Sequence, residues 1–334
     1  MLIYRIITRQ AALILALALA STFAYGQGRV AFEGKIPSKV LSGERMVHLY
    51  LPPSYESETD RRYPVLYVHD GQNAFSTAGP NVAFGWGSWQ LDKAVDELSA
   101  AGKMQEIIMV AVDSSAERYL EYRGPAREYS EEDIKQAKRP LRAPGDNSRF
   151  QMYARFLIDE LKPKIDREYR TLAEPKHTGA MGSSMGGIAS RALAWEHPDV
   201  FGNAASLSGW YAVEEQNFLE NVLRKHRHTL PEVASPRQPP KAIRIYLDSG
   251  TCDFTGGDDC RKETAAVSAE LRRIGWRDGL DLQYFLDEQP LGESELERLG
   301  LSDKKREEAQ RSQHNEFYWR LRVWRALTFL FPVN

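Results

Sequence analysis

Thr178-Gly179-Ala180-Met181-Gly182-Ser183-Ser184-Met185-Gly186-Gly187-Ile188, continuing to Glu196, is the stretch on which the fold turns. Thr178–Met181 reads as a short strand and Ile188–Glu196 as a helix. Between them a serine stands among glycines in the order G-x-S-x-G. This order marks a sharp strand-to-helix turn, where small flanking residues let strand and helix approach and leave the serine on a strained backbone at the tip. Register favours Ser184 over Ser183, which faces back toward the sheet. With Gly and Ser each at about 7% of residues, a chain of this length shows the pattern by chance roughly one time in ten. The strand before it and the helix after it make it specific.

Outward from this turn, short β-branched or apolar runs alternate with helical patterns, the signature of a largely parallel sheet covered on both faces. The runs are 45–51, 65–69, 107–112, 178–181, 203–207, 243–247 and 282–285. Met152, Phe156, Leu157, Leu161 and Ile165 recur at helical spacing, as do Val267, Leu271 and Ile274, with Gly275 placed to end that helix. A last helix, 316–330, is rich in Trp, Leu and Phe. The expectation is an α/β-hydrolase fold, a mostly parallel central sheet with helices on both faces. Three stretches interrupt it: 123–147, 210–240 and the charged run 288–313. Each follows a strand, so each is expected at the carboxyl edge of the sheet, as a cleft wall or lid or as solvated elaboration.

A serine hydroxyl is a poor nucleophile until a base takes its proton. After the helix that follows Ser184, the chain offers His226, His228 and His314. The first two lie in the basic stretch Arg224–His228, which reads as a solvated face. His314 follows the last expected strand and precedes the last helix, the position of the base in the order Ser, acid, His. The acid should lie between, past a strand end. Asp253 stands in the turn after 243–247 and is the acid expected here; Asp248 is still on or beside the strand, and Asp258 and Asp259 are weaker candidates in the same loop. Two backbone N–H groups should face the developing oxyanion. Met185, directly after the serine, supplies one; Gln72, in the turn His69-Asp70-Gly71-Gln72-Asn73, is expected to supply the other.

These stations resemble the Putative esterase family, which groups enterochelin esterase-like proteins, feruloyl and acetylxylan esterases, esterase D and mycolyltransferases. Tyr63–Asn73 is similar to its opening segment, Arg45–Pro53 to its R-x-V-x-x-Y-L-P strand, and Arg118 with Glu121-Tyr122 to its R-x-x-E-Y segment. Ser184 with Met185-Gly186-Gly187, Gly250-Thr251-Cys252-Asp253, and His314-Asn315-Glu316 with Trp319 match its elbow, acid turn and closing H-x-E-x-x-W. The resemblance implies Asp253 over Asp248 and His314 over the other histidines. The run 288–313 is longer than the family pattern leads one to expect before the histidine. Arg118 and Glu121 read as a loop brace. Trp210 and Tyr211 have two readings, stacking on a sugar or aromatic acyl group, or packing beneath a loop.

The formal net charge is −2, and the first 26 residues hold two arginines and no acid, so the remainder carries −4 and has no basic excess for nucleic acid. Arg5 and Arg9, the apolar run Ala11–Phe23 and the small residues of Ala24-Tyr25-Gly26 read as a secretory signal peptide over 1–26, cleaved before Gln27. The mature chain, 27–334, is then expected to be one secreted or periplasmic esterase domain with no stable membrane insertion. In an oxidising compartment the two cysteines, Cys252 and Cys260, are expected to close a local disulfide bracing the acid loop. Two cysteines without nearby histidine do not make a metal site. No metal or organic cofactor is expected, and the partner is a small-molecule or carbohydrate-linked ester. Hydrolysis is the expected reaction. An acyltransferase using a sugar or other alcohol as acceptor is the first alternative, and a non-catalytic carbohydrate- or siderophore-binding relative the second.

Overall fold

The computed structural model describes residues 26–125, 148–209 and 241–333. Eight strands make one sheet in the order β1-β2-β4-β3-β5-β6-β7-β8. They are β1 (Arg29–Ser38), β2 (Gly43–Leu51), β3 (Val65–His69), β4 (Ile108–Val112), β5 (Thr178–Ser183), β6 (Asn203–Leu207), β7 (Arg244–Ser249) and β8 (Leu282–Leu286). β2 pairs antiparallel with β1 and β4, and every pairing from β4 across to β8 is parallel. β1 was not anticipated. It is an edge strand whose residues are mostly exposed or half-buried, so its sequence shows no apolar run.

β3 (VLYVH) and β4 (IMVAV) are buried at every position, as strands covered on both faces must be. Successive side chains go to opposite faces. Val65 and Tyr67 join one core cluster, and Leu66 and Val68 join the other. Against the first face pack α3 (Ser148–Arg155), which runs through a π-helical turn into 162–168, α4 (Met185–Glu196) and α5 (Arg261–Arg273). Against the second pack α1 (Leu91–Ala100) and α8 (Glu316–Leu330), through Leu91, Val95, Trp319, Val323 and Leu327. Each such side chain, fully buried, contributes about 1.5–3 kcal/mol.

The chain moves from β3 to β4 on one side and then returns to β5 on the other. That reversal opens a crevice at the carboxyl ends of β3 and β5, where open α/β sheets bind ligands. The short α2 (Arg118–Tyr122) follows β4 and lies near this edge. The charged run 288–313 folds into α6 (Glu293–Arg298) and α7 (Asp303–Arg311). It is not loose surface: Leu296 and Ala309 are buried in a small core with Phe317 and Tyr318. No helix among the described residues is long and apolar enough to cross a membrane.

Candidate active site

At the end of β5 the chain turns abruptly. Ser184 has φ 53° and ψ −122° and stands immediately before α4. Positive φ is unfavourable for a residue with a Cβ and is tolerated where the surroundings enforce it. Here the Ser184 N–H donates to the Leu207 carbonyl of β6 at 2.9 Å. The flanking glycines are required by close approach. A Cβ on Gly182 would lie 2.6 Å from the Gly186 backbone, and one on Gly187 would lie 2.6 Å from Ser206 Oγ. Ser183 is buried at the end of β5 and contributes, beside Ser184, to the wall of a cavity at this turn.

Ser184 and His314 line one cavity of about 790 Å³, together with Gln72, Arg118, Trp86 and Trp319. His314 lies between α7 and α8. Asn315 fixes the start of α8 by accepting from the Tyr318 N–H at 3.2 Å. The imidazole packs edge-on against Trp319 (5.0 Å between centroids) and Phe254 (5.7 Å). Its Nδ1 is 2.5 Å from Oδ1 of Asp259.

The carboxylate bonded to the histidine is therefore Asp259 and not Asp253, the acid expected from the sequence. Asp253 is engaged by its own turn: its Oδ1 accepts from Thr255 N–H (2.8 Å), Thr255 Oγ1 (2.6 Å) and Gly257 N–H (2.9 Å). Partial burial pushes its pKa up, but the bonds from Thr255 and Gly257 outweigh this and hold it below the ordinary value. The chain then doubles back through Asp259 and Cys260, both at φ 54°, and delivers Asp259 to the imidazole. Asp259 is 1% exposed. Its Oδ2 accepts from Ser208 Oγ at 2.7 Å and from the Gly250 N–H at 2.5 Å, with Arg322 Nη2 at 3.8 Å. Asp248 belongs to this support. It pairs with Arg322 at 3.0 Å and accepts from the Ser208 N–H, while burial pushes it up to about 6 against the pull of that arginine.

Ser208 ties the group together. Besides donating to Asp259, its hydroxyl accepts from Trp319 Nε1 at 3.0 Å and Arg322 Nη2 at 2.6 Å. Neither Ser208 nor Arg322 carries a sequence motif that would have exposed this role. The disulfide expected at the acid loop is not formed, and Cys252 and Cys260 are free. Cys252 turns its sulfur toward Gln313 Oε1, at 3.9 Å, while Cys260 precedes α5 on a left-handed backbone. Gln313 provides the brace instead. It accepts from Thr251 N–H (2.7 Å) and Oγ1 (2.9 Å), and donates to the carbonyls of Asp287 (3.1 Å) and Cys252 (2.9 Å).

Gln72 lies at the cavity in a 3-10 turn, its carboxamide held on Ser114 by two bonds of 3.0 and 3.1 Å. Gly71 lies against β4, where a Cβ would approach the backbone of residues 111 and 112 to 2.7 Å. Met185 is the first residue of α4, where backbone N–H groups have no intrahelical acceptor. Arg118 and Glu121 do brace loops, but with separate partners. Arg118 grips Asp70 by two bonds of 2.7 and 2.8 Å, while Glu121 accepts from Arg45 and Arg149. Glu316 also faces the cavity and accepts from Asn73 Nδ2 at 3.2 Å; burial pushes its carboxyl up to about 7. Trp210 and Tyr211 lie outside the described residues. Among the described residues no group of three or more His, Cys, Asp or Glu side chains is placed to hold a metal ion.

This chain is 23% identical over 173 residues to the protein YbbA of Bacillus subtilis (strain 168), a match covering 51% of this chain and 59% of that relative. The chain thus spans less than two thirds of that relative's length. Among solved structures it resembles a ferulic acid esterase (20% identity, TM-score 0.58), covering 91% of this chain and 98% of that one. It also resembles the enterobactin esterase of Shigella flexneri (16% identity, TM-score 0.57), covering 92% of this chain and 61% of that one. At these identities the likeness establishes the α/β-hydrolase fold. The family described as Putative esterase matches residues 38–287, three quarters of the chain, and the chain belongs to that family.

Proposed function

We propose that this chain is an exported serine carboxylic-ester hydrolase, folded as one domain after removal of residues 1–26, with Ser184, Asp259 and His314 as its catalytic groups. One observation carries the reading: Ser184 at a strained elbow shares a cavity with His314, whose Nδ1 is bonded to the buried Asp259. Asp259 keeps the proton of the neutral imidazole on Nδ1, so Nε2 is free to accept one. As Nε2 takes the Ser184 proton, Oγ attacks the ester carbonyl and a tetrahedral oxyanion forms. Backbone N–H groups at Met185 and Gln72 are the donors assigned to that oxyanion. Collapse breaks the bond to the alcohol oxygen, which leaves with the proton from His314. Water, deprotonated by the same nitrogen, then attacks the acyl-enzyme; the acid departs and Ser184 recovers its proton.

The natural ester is set by the cavity, where Phe84, Trp86, Phe254 and Trp319 stand among charged and polar groups that include Arg118, Arg311 and Glu316. The test is turnover of p-nitrophenyl acetate and methyl hydroxycinnamates by wild type and Ser184→Ala. The expected loss in kcat is at least about 10⁴-fold. Equal rates in the two proteins would remove the serine mechanism, and products formed only with an added alcohol acceptor would move the assignment to acyl transfer.

A further inference from the structure

Beside the catalytic cavity lies a second one of about 510 Å³, and Trp86 lines both. Its walls come from the loop 76–90, from the turn 299–302 between α6 and α7 with Lys305 of α7, and from Phe317 and Arg320 of α8. The lining includes two cations, Lys305 and Arg320, together with Ser76, Ser88 and Ser302, and no carboxylate. Lys305 lies 4.0 Å from the Trp86 ring centroid and is paired at 2.7 Å with Glu308, which belongs to the catalytic cavity. Arg320 differs. It donates to the Ser88 carbonyl at 2.8 Å and lies over the Phe317 ring, and no ion pair among the described residues includes it. Burial lowers its pKa with no acid countering the effect. A half-buried guanidinium without a counter-charge has donors to spare, and its planar fork matches a carboxylate.

We propose that this cavity is a subsite for a carboxylate carried by the substrate, reached past Trp86 from the ester held at Ser184, with Arg320 as the residue that selects it. The inference rests on the esterase reading for its kinetic consequence but not for its binding consequence. The run 288–313 then has a role: the turn between α6 and α7, with Lys305 of α7, builds one wall of a site that selects acidic esters.

The test pairs charged and neutral esters. ω-Acetoxy carboxylic acids of three to eight carbons place the charge on the alcohol side, and monoethyl esters of dicarboxylic acids place it on the acyl side. Each is compared with its primary amide. Wild type is expected to prefer the acid in at least one series by about tenfold in kcat/KM, expressed in KM, the size of one charge-assisted bond. Arg320→Gln is expected to cut that preference to about threefold or less while p-nitrophenyl acetate turnover stays within about twofold, and Arg320→Lys to retain most of it. Unchanged p-nitrophenyl acetate turnover also shows that the variant has folded. No preference in either series, or a full preference in Arg320→Gln, overturns the proposal. Calorimetric titration with 6-acetamidohexanoate and its primary amide reads the site without turnover. Selective, Arg320-dependent binding in a protein that cleaves no ester would keep the subsite and remove the esterase reading, and equal or absent binding of both removes the subsite.

Discussion

Replacing Asp259 by Asn alters the charge at the imidazole with almost no change in shape. The carboxylate has two engaged oxygens: Oδ2 accepts from Ser208 and the Gly250 N–H, and Oδ1 faces His314 Nδ1. An amide cannot turn its NH2 toward Ser208 and Gly250 without setting donor against donor, so it must present NH2 to the imidazole. Nδ1 then becomes the acceptor and the proton moves to Nε2, the nitrogen that should take the serine proton. The expected loss is about 10³–10⁴ in kcat, equivalent to roughly 4–5.5 kcal/mol, with KM little changed. Asp253→Asn makes the control. The Asp253 bonds from Thr255 and Gly257 all go to Oδ1, which Asn retains. Its expected effect is within about threefold, the scale of a surface substitution. Steady-state kinetics on p-nitrophenyl acetate, with circular dichroism to confirm folding, decides the matter. A crippled Asp253→Asn beside an active Asp259→Asn would refute the reasoning.

Other consequences are open to measurement. Glu316 has its carboxyl pushed by burial up to about 7, above its unfolded value, so the folded state binds the extra proton. Stability from this group is present at low pH and is lost as pH rises toward 7. Glu316→Gln should therefore gain on wild type between pH 5 and pH 8, by on the order of 1–3 kcal/mol in urea titrations; a constant difference across that range would contradict the burial. Gly182→Ala places a Cβ against the Gly186 backbone, which cannot swing aside. It should cost about 1–3 kcal/mol and abolish labelling of Ser184 by an organophosphate. Protein purified without reductant and then denatured should titrate two thiols per chain, since Cys252 and Cys260 are both free; a titre of zero would restore the bridge.

What could be read from the chain alone followed how local each constraint is. The elbow at Ser184 was legible because much of its cause is local: the sharp turn brings Gly182 against the Gly186 backbone and excludes a Cβ there, and the sequence must show it. β3 and β4 were legible because strands covered on both faces are apolar at every position. β1 was not, since an edge strand facing solvent needs no such run. Chain order singled out His314, which lines one cavity with Ser184. The carboxylate that meets it could not be singled out, because Asp253, Asp258 and Asp259 share one loop and their sequence does not say which way it closes. The choice fell to backbone and packing: Asp253 is used up by its own turn, and two consecutive left-handed residues swing Asp259 beneath the imidazole.

The support for that pair comes from Ser208 after β6, Arg322 on α8 and Gln313 ahead of it, residues up to 114 positions apart whose roles exist only once the sheet is assembled. The sequence by itself determined the elbow and the buried strands, because short-range sterics and burial must be written in consecutive residues. Tertiary structure alone decided which carboxylate meets His314, what braces it and how the run 288–313 packs, because contacts between distant segments leave no pattern along the chain.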